Sequence, residues 1–367
     1  MEKNIYKITK KDLYDLFARL SSDYRVFVPY AKGERLYFGE FDPRKEETIE
    51  LGGIRQTQPV KSFLNPPREV IASEAKQSKN EIASAASRLR NDGLKKPLIL
   101  AGVKACDLAS FVLQDFVFLK GDTEDPFYAE SRNNTIIISN DCTFAKETCF
   151  CLAMEGSPYP KKYFDINLSP INDFFIVEVA SPKGEAIINK FRMFFKPHTA
   201  TDLNVRQANR EKVAREVRYF IDRRGTQNTA QIKGAVKRNY NLTALWQDFA
   251  STCVECGACN LVCPTCHCFL LFDEKAKDNS NRRYRVWDAC LYNTFARVAG
   301  GANPRKHLYE RLRNRFEKKF DFFPGVLNYF ACTGCGRCIE ACPGDIDLRE
   351  VLKGLVSGEK WNKPPND

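Results

Sequence analysis

The segment CVECGACNLVCPTCHCF, residues 253–269, holds six cysteines in seventeen residues. Four of them follow the spacing C-x2-C-x2-C-x3-C, with a proline directly after the last: Cys253, Cys256, Cys259 and Cys263. This spacing with its trailing proline is typical of chains that supply thiolate ligands to iron–sulfur clusters. The segment therefore predicts that the carboxyl-terminal half of the chain folds around such a cluster.

The same motif recurs near the carboxyl terminus as CTGCGRCIEACPG, with identical spacing. Its four cysteines are Cys332, Cys335, Cys338 and Cys342. In two-cluster ferredoxins the fourth cysteine of each run ligates the other cluster, so we predict two 4Fe–4S clusters with crossed ligand sets. One set comprises Cys253, Cys256, Cys259 and Cys342, and the other comprises Cys332, Cys335, Cys338 and Cys263.

Glycines inside both runs support this interpretation. Gly257, Gly334 and Gly336 permit the left-handed or crowded backbone that a tight cluster-binding loop needs. The stretch from residue 264 to 331, between the two runs, is interpreted as helical and basic. We therefore expect an enlarged, mostly helical ferredoxin module rather than a compact ferredoxin.

The bulk composition is that of a soluble globular protein, with 43% hydrophobic and 28% charged residues. No apolar run approaches the roughly 20 residues that a membrane helix needs, and the first residues lack the apolar core of a signal peptide. We therefore predict a cytoplasmic protein without a membrane span. In that reducing compartment its 15 cysteines are expected to be metal ligands rather than disulfides.

The formal net charge is +11, and the excess is partly local. Residues 206–238 contain ten Lys or Arg and only three acidic residues. The simplest interpretation is a solvated helix face. If this basic segment binds a partner, an acidic protein surface is favoured over nucleic acid, because no basic motif interleaved with aromatic residues accompanies the charge.

The amino-terminal half has the pattern of an α/β layer. Residues 1–65 predict a helix followed by a hairpin, and residues 70–96 predict a surface insertion rich in Ala, Ser and Lys. Two buried strands are expected at 97–102 and 135–140, with a helix between them, and a further strand at 174–180. The predicted fold class is α+β. An amino-terminal α/β domain with a mixed sheet, residues 1–200, precedes a mostly helical two-cluster domain, residues 201–367.

Four further cysteines predict a third cluster in the amino-terminal half: Cys106, Cys142, Cys149 and Cys151. Cys106 and Cys142 each follow a predicted strand. If these strands are parallel neighbours, both thiols lie at the carboxyl edge of one sheet, where α/β folds place their sites. Asp107 is expected to cap the helix after Cys106. The alternative is a group of buried structural thiols.

Three cysteines remain without an assigned role: Cys266, Cys268 and Cys290. They are either inert thiols packed around the clusters or members of a ligand set that competes with the amino-terminal four. The spacing does not decide between these two interpretations.

Five segments together carry a resemblance to a known family: GVKACDL, DCTFAKETCFC, CVECGACNLVCPTCHCF, VWDAC and CTGCGRCIEACP. They resemble the iron–sulfur β subunits of soluble NAD(P)-linked nickel–iron hydrogenases (sulfhydrogenases) and the corresponding iron–sulfur subunit of anaerobic sulfite reductase. The resemblance covers most of the chain and fails at the 70–96 insertion. It implies an electron-relay subunit between a flavin/NAD(P)-binding subunit and a catalytic subunit with nickel–iron or sirohaem.

The motifs of a separate substrate site are missing from the sequence. No G-x-G-x-x-G follows a strand, no phosphate-binding loop is present, and none of the three histidines is paired with a carboxylate in a recognisable catalytic motif. We therefore expect a subunit of an oxidoreductase complex without its own substrate site. The alternatives are a self-contained iron–sulfur flavoprotein reductase and, more remotely, an iron–sulfur protein that binds nucleic acid.

Overall fold

The computed structural model describes residues 4–73, 96–275 and 281–358. Most of the predicted surface insertion at 70–96 falls on residues 74–95 and so lies outside the described residues. The chain divides into two compact units that alternate along the sequence. The first unit comprises Met1–Lys146, Ser157–Glu216 and Leu271–Arg285, and the second comprises Glu147–Gly156, Val217–Leu270 and Val286–Asp367.

The first unit is built on a seven-stranded mixed sheet. Its strands in chain order are β1 (Ile5–Thr9), β2 (Arg25–Lys32), β3 (Arg35–Glu40), β5 (Leu98–Val103), β6 (Thr135–Asn140), β7 (Ile166–Ile171) and β8 (Phe174–Val179), with β4 (Arg68–Ser73) in a separate sheet. Their order across the sheet is β1-β8-β7-β6-β5-β2-β3. The central strands β2, β5, β6 and β7 run parallel, and the remaining neighbours are antiparallel. The prediction of an α+β fold with a mixed amino-terminal sheet is confirmed.

Strands β5 and β6 are parallel neighbours in the sheet, and Cys106 and Cys142 lie in the segments that follow them. Leu98 lies opposite Thr135 and Ala101 opposite Ile138. Every residue of β6 is buried, as expected for a strand covered on both faces. Because the two strands run parallel, the segments that follow them leave the sheet at the same edge.

Helices cover the sheet of the first unit. They are α1 (Lys10–Leu20), α2 (Lys61–Leu64), α3 (Ala105–Leu108), α4 (Phe111–Leu119), α5 (Pro126–Asn133) and α6 (Pro182–Lys190), followed by α7 (Ala200–Arg224). Helix α1 begins where the Thr9 hydroxyl accepts a hydrogen bond from the Asp12 N–H at 3.1 Å, a standard N-cap. Its buried face, which includes Leu13, Leu16 and Phe17, packs into the core.

A second sheet has the order β4-β10-β9 and contains β9 (Phe269–Lys275) and β10 (Asn281–Trp287). The prediction that residues 264–331 are helical is therefore wrong for these two strands. Strand β9 forms one edge of the sheet and exposes four consecutive apolar residues, from Phe269 to Phe272.

The second unit is mainly helical. Its helices are α8 (Thr229–Ile232), α9 (Ala235–Arg238), α10 (Thr243–Ala250), α11 (Ala258–Leu261), α12 (Leu308–Glu317), α13 (Phe323–Leu327), α14 (Arg337–Glu340) and α15 (Leu348–Ser357), with a π-helical turn at Lys318–Phe322. Trp246 of α10 is fully buried against Phe316, and its indole N–H donates to the Asn239 carbonyl at 2.9 Å. Leu312, Phe316 and Phe320, spaced four residues apart, form an apolar stripe that lies in this core.

Within the described part of the chain, every helix is too short or too polar to span a lipid bilayer.

Candidate metal centre

The two cysteine runs adopt the same local structure. Each contains a glycine with positive φ, Gly257 at +69° and Gly336 at +75°, directly before a four-residue helix, α11 or α14. In both runs the last cysteine donates its N–H back into that helix at 3.3 Å, Cys263 to Asn260 and Cys342 to Ile339. The predicted left-handed glycines are confirmed, and the runs form a structural repeat.

Four thiols of the first predicted set line one pocket of the second unit: Cys253, Cys256, Cys259 and Cys342. The pocket encloses an empty space of about 520 Å³, part of which is open to solvent. Burial raises the pKa of the Cys259 thiol to about 11, and the neighbouring Cys342 and Cys253 add to this shift. Cys342 of the second run thus lies beside the first run.

The second predicted set shows the reciprocal arrangement. Burial raises the pKa of the Cys332 thiol to about 12, and Cys263 and Cys335 contribute to that shift. Burial also raises the pKa of Cys338, with a further contribution from Cys263. The structure therefore brings Cys263 of the first run to the thiols of the second run. The assignment of these thiols as ligands remains a prediction.

Two buried cations lie among these thiols, and the sequence interpretation did not identify them. The Lys319 ammonium is 3.3 Å from the Cys263 sulfur, and the Arg315 guanidinium donates to the Cys259 carbonyl at 3.3 Å. Burial acts to lower the pKa of each cation, but the neighbouring thiols outweigh it and hold both pKa values above their usual range. The sequence did contain one indication that both cations are buried: they are spaced four residues apart, next to an apolar stripe with the same spacing.

Asn260 links part of the first set to cysteines without an assigned role. Its buried amide donates to the Cys290 sulfur at 3.1 Å and to the Cys266 sulfur at 3.7 Å. Its carbonyl oxygen lies 3.5 Å from the Cys259 sulfur. Cys266 corresponds to Asp345 in the second repeat, where the same backbone hydrogen bond forms, so the repeated structure itself does not require a thiol there.

The segment 147–156, which carries Cys149 and Cys151, belongs to the second unit and packs against the second run. The Phe150 N–H donates to the Gly334 carbonyl at 2.9 Å. A β-carbon on Gly334 would lie 2.5 Å from the Phe150 carbonyl oxygen, so only glycine fits there. Two of the four cysteines predicted for a third cluster are thus part of the unit that holds both runs.

The other two, Cys106 and Cys142, belong to the first unit and follow the parallel strands β5 and β6. The fully buried Lys104 lies near both: burial lowers its pKa, and the charges of Cys142, Asp141 and Cys106 oppose that effect. Its ammonium donates to the carbonyls of Leu51 and Asp141 at 3.1 Å. The structure describes these two thiols and the other two in separate units, so the third cluster stays a prediction.

Asp107 does not have the expected capping role. Lys104 occupies the N-cap position of α3, and no side chain caps that helix. The buried Asp107 carboxylate instead accepts the Val60 N–H at 3.1 Å, which fixes the loop before α2.

The residues of the second unit fit a multi-iron cluster. The four thiols of the first set line a pocket, together with Cys338 of the second set. Two buried donors beside the thiols, Arg315 Nη1 and Thr333 Oγ1, have no hydrogen-bond partner among the residues that the structure describes. Buried donors are normally satisfied, and cluster sulfides are acceptors of the required kind.

Comparisons with known proteins agree with this chemistry. Residues 252–346 match the family model described as a 4Fe-4S dicluster domain. Over 346 residues the chain is 31% identical to the sulfhydrogenase 2 subunit beta of Pyrococcus furiosus, spanning 93% of this chain and 96% of that protein. The similarity thus extends over both units, well beyond the dicluster region.

Proposed function

This chain belongs to the family of sulfhydrogenase β subunits, and from that premise we propose that it relays electrons between a flavin/NAD(P)-binding subunit and the catalytic subunit of a nickel–iron hydrogenase. The coarser statement, an iron–sulfur electron-transfer subunit, follows from the family together with the dicluster domain. The partners and the hydrogenase reaction are the proposed part.

The observation that carries the proposal is the exchange of the last cysteine between the two runs. Cys342 lies with the first run and Cys263 with the second, as two neighbouring clusters with crossed ligands require. The two sets named above would hold one 4Fe–4S cluster each, and such clusters supply one-electron transfer. The chain itself supplies thiols, an apolar pocket lining and two fixed cations.

The histidines of the chain have structural surroundings that support a relay rather than a proton-transfer site. The His198 ring contacts the Ile5 carbonyl at 3.1 Å, and the His267 ring contacts the Thr265 carbonyl at 3.2 Å. His307 occupies the N-cap position of α12 and stacks on Tyr309. Each ring is engaged with the local fold.

Co-expression with candidate partner subunits tests the proposal. The chain should co-purify with a flavin-containing NAD(P)-binding subunit and with a subunit that contains nickel. The lone chain, loaded with iron, should reduce artificial dyes with NAD(P)H only after the flavin subunit is added.

Three results would contradict the proposal. NAD(P)H oxidation at enzymatic rates by the lone chain with bound flavin would identify a self-contained reductase. Sirohaem absorbance without nickel in the complex would replace the hydrogenase partner by a sulfite reductase. Strongly salt-dependent retention on DNA would favour a nucleic-acid-binding protein.

A further inference from the structure

Helix α12 and the π-helical turn after it carry a stripe of buried cations next to their apolar stripe. Arg311, Arg315 and Lys319 follow one another at intervals of four residues, and each side chain is buried. The Arg311 guanidinium forms an ion pair with the Glu255 carboxylate at 2.8 Å. Within the described residues, no carboxylate lies within ion-pair distance of Arg315 or Lys319.

Lys319 is directed toward the second thiol set. Its ammonium contacts the Cys263 sulfur at 3.3 Å, the Thr265 hydroxyl at 2.9 Å and the Ala331 carbonyl at 3.0 Å. Cys263 is itself a member of the second set, and Ala331 immediately precedes Cys332, another member. Two of the three contacts therefore lie at the second set. All three partners belong to the second unit.

Arg315 lies between the two sets instead. It donates to the Cys259 carbonyl, and its charge acts on Cys259 of the first set and on Cys338 and Cys263 of the second. Of the two cations, only Lys319 therefore favours one set, which makes it the residue that can distinguish one cluster from the other.

A buried positive charge without a carboxylate partner acts strongly on a nearby redox centre. Reduction adds one negative charge to a cluster, and an adjacent cation stabilises the reduced form. The Coulomb energy falls with distance and is weakly screened in the protein interior, so the nearer cluster gains more. Hydrogen bonds to ligand sulfurs and local charge are established determinants of cluster potential.

Resting on the proposed iron–sulfur function, we infer that Lys319 raises the reduction potential of the cluster held by Cys332, Cys335, Cys338 and Cys263 above that of the other cluster. The chain thereby determines which of these two clusters holds the electron when only one of them is reduced. Lys319 acts through Cys263, so it is a positioning charge and touches no substrate.

The test compares three variants of the full-length, iron-loaded chain in its complex. Lys319→Met removes the charge and the hydrogen bonds, Lys319→Gln removes the charge but keeps a donor, and Lys319→Arg keeps the charge. Lys318→Met is the matched control, since Lys318 is its immediate neighbour and is exposed. Iron content is counted first, and anaerobic redox titration followed by electron paramagnetic resonance then assigns a potential to each cluster.

We expect full iron content in Lys319→Gln and a lower potential for the second cluster alone. The electron distribution between the clusters should shift roughly tenfold toward the first, equivalent to about 59 mV for a one-electron couple. Lys319→Arg should retain most of the difference in potential between the two clusters, and Lys318→Met should leave that difference unchanged. Lys319→Met should shift the distribution in the same direction as Lys319→Gln if it loads iron.

Unchanged potentials in a fully loaded Lys319→Gln variant would overturn the inference, as would equal shifts of both clusters or an equal effect of Lys318→Met. Those results would leave the proposed relay intact. If the unmodified chain bound no iron, the proposed function itself would fail, so the two failures are distinguishable.

Discussion

The backbone of Gly336 lies directly against the carbonyl oxygen of Thr148: a β-carbon on that glycine would stand 2.3 Å from the oxygen. The same glycine has a φ of +75° and occupies the N-cap position of helix α14. Close backbone approach and a left-handed conformation thus coincide at one residue. Both features belong to the segment that places Cys335 and Cys338.

Gly336→Ala should therefore destabilise the second unit by more than the conformational cost alone. Gly358→Ala is a matched control, because Gly358 has a φ of +73° but open space where a β-carbon would be. The control should cost about 1–2 kcal/mol, the usual penalty for a left-handed alanine. Gly336→Ala should lose a further ~1–3 kcal/mol through overpacking. Anaerobic urea unfolding of both variants measures this, and equal midpoints would show that the contact with Thr148 is unimportant.

The crossed pairing makes a prediction about Cys263. Cys263→Ala should change the spectrum of the cluster at Cys332, Cys335 and Cys338, while the cluster of the first run keeps its signal. Cys266→Ala is the control and should keep both signals, since the second repeat has an aspartate, Asp345, at that position. Loss of the first run's cluster instead would mean that each run ligates locally.

The third set is tested by counting iron. Two clusters account for about eight irons per chain, and a third at Cys106, Cys142, Cys149 and Cys151 raises the total to about twelve. We expect twelve after anaerobic reconstitution, with about four lost in Cys106→Ser. A count of eight in a fully loaded preparation would refute the third cluster. Twelve irons unaffected by Cys106→Ser and Cys151→Ser would move it to Cys266, Cys268 and Cys290.

We expect the buried side chain of Arg210 to contribute to the free energy of unfolding of the first unit. Its guanidinium pairs with Asp141 at 2.6 Å and with Glu178 at 2.8 Å, and all three side chains are largely buried. Arg210→Met would remove this cation from both carboxylates, while Glu178 would keep its ion pair with Arg206 at 3.1 Å and Asp141 its hydrogen bond from the Asn167 amide at 3.0 Å. The substitution should cost about 3 kcal/mol, the lower end for a broken buried ion pair.

Arg224→Met is the control on the same helix, because Arg224 pairs with Glu147 at an exposed position and should contribute less than about 1 kcal/mol. Chemical denaturation of both variants provides the measurement. Similar losses in the two variants would contradict the role assigned to the buried network.

Local patterns in the sequence predicted the parts of this fold that are themselves local. The sequence predicted the two cysteine runs with their left-handed glycines, because a motif is recognised from the spacing of residues that are close in sequence. It also predicted strands β5 and β6, because each is a continuous run of apolar residues. Strand β7 was missed because INLSPI contains a proline. Pro170 is tolerated there because the pairing with β6 has already ended at Leu168.

Long-range features could not be predicted in the same way. Lys319 is unremarkable in a basic stretch, and only the folded chain shows that it contacts the Cys263 sulfur. Strand β1 is a five-residue segment whose partner, β8, is remote in the sequence. Residues 147–156 belong to the second unit through contacts with the second cysteine run, such as that of Thr148 with Glu340 of helix α14, 192 positions later.

A minimal two-cluster fragment made by removing the amino-terminal sheet would also lose residues 147–156, which belong to the second unit. A fragment that begins at residue 201 lacks Phe150, whose ring is buried in the core of the second unit, and leaves the Gly334 carbonyl without its N–H partner. A functional minimal piece should therefore be assembled from two parts, with the peptide 147–156 supplied in trans or joined by a linker to Val217.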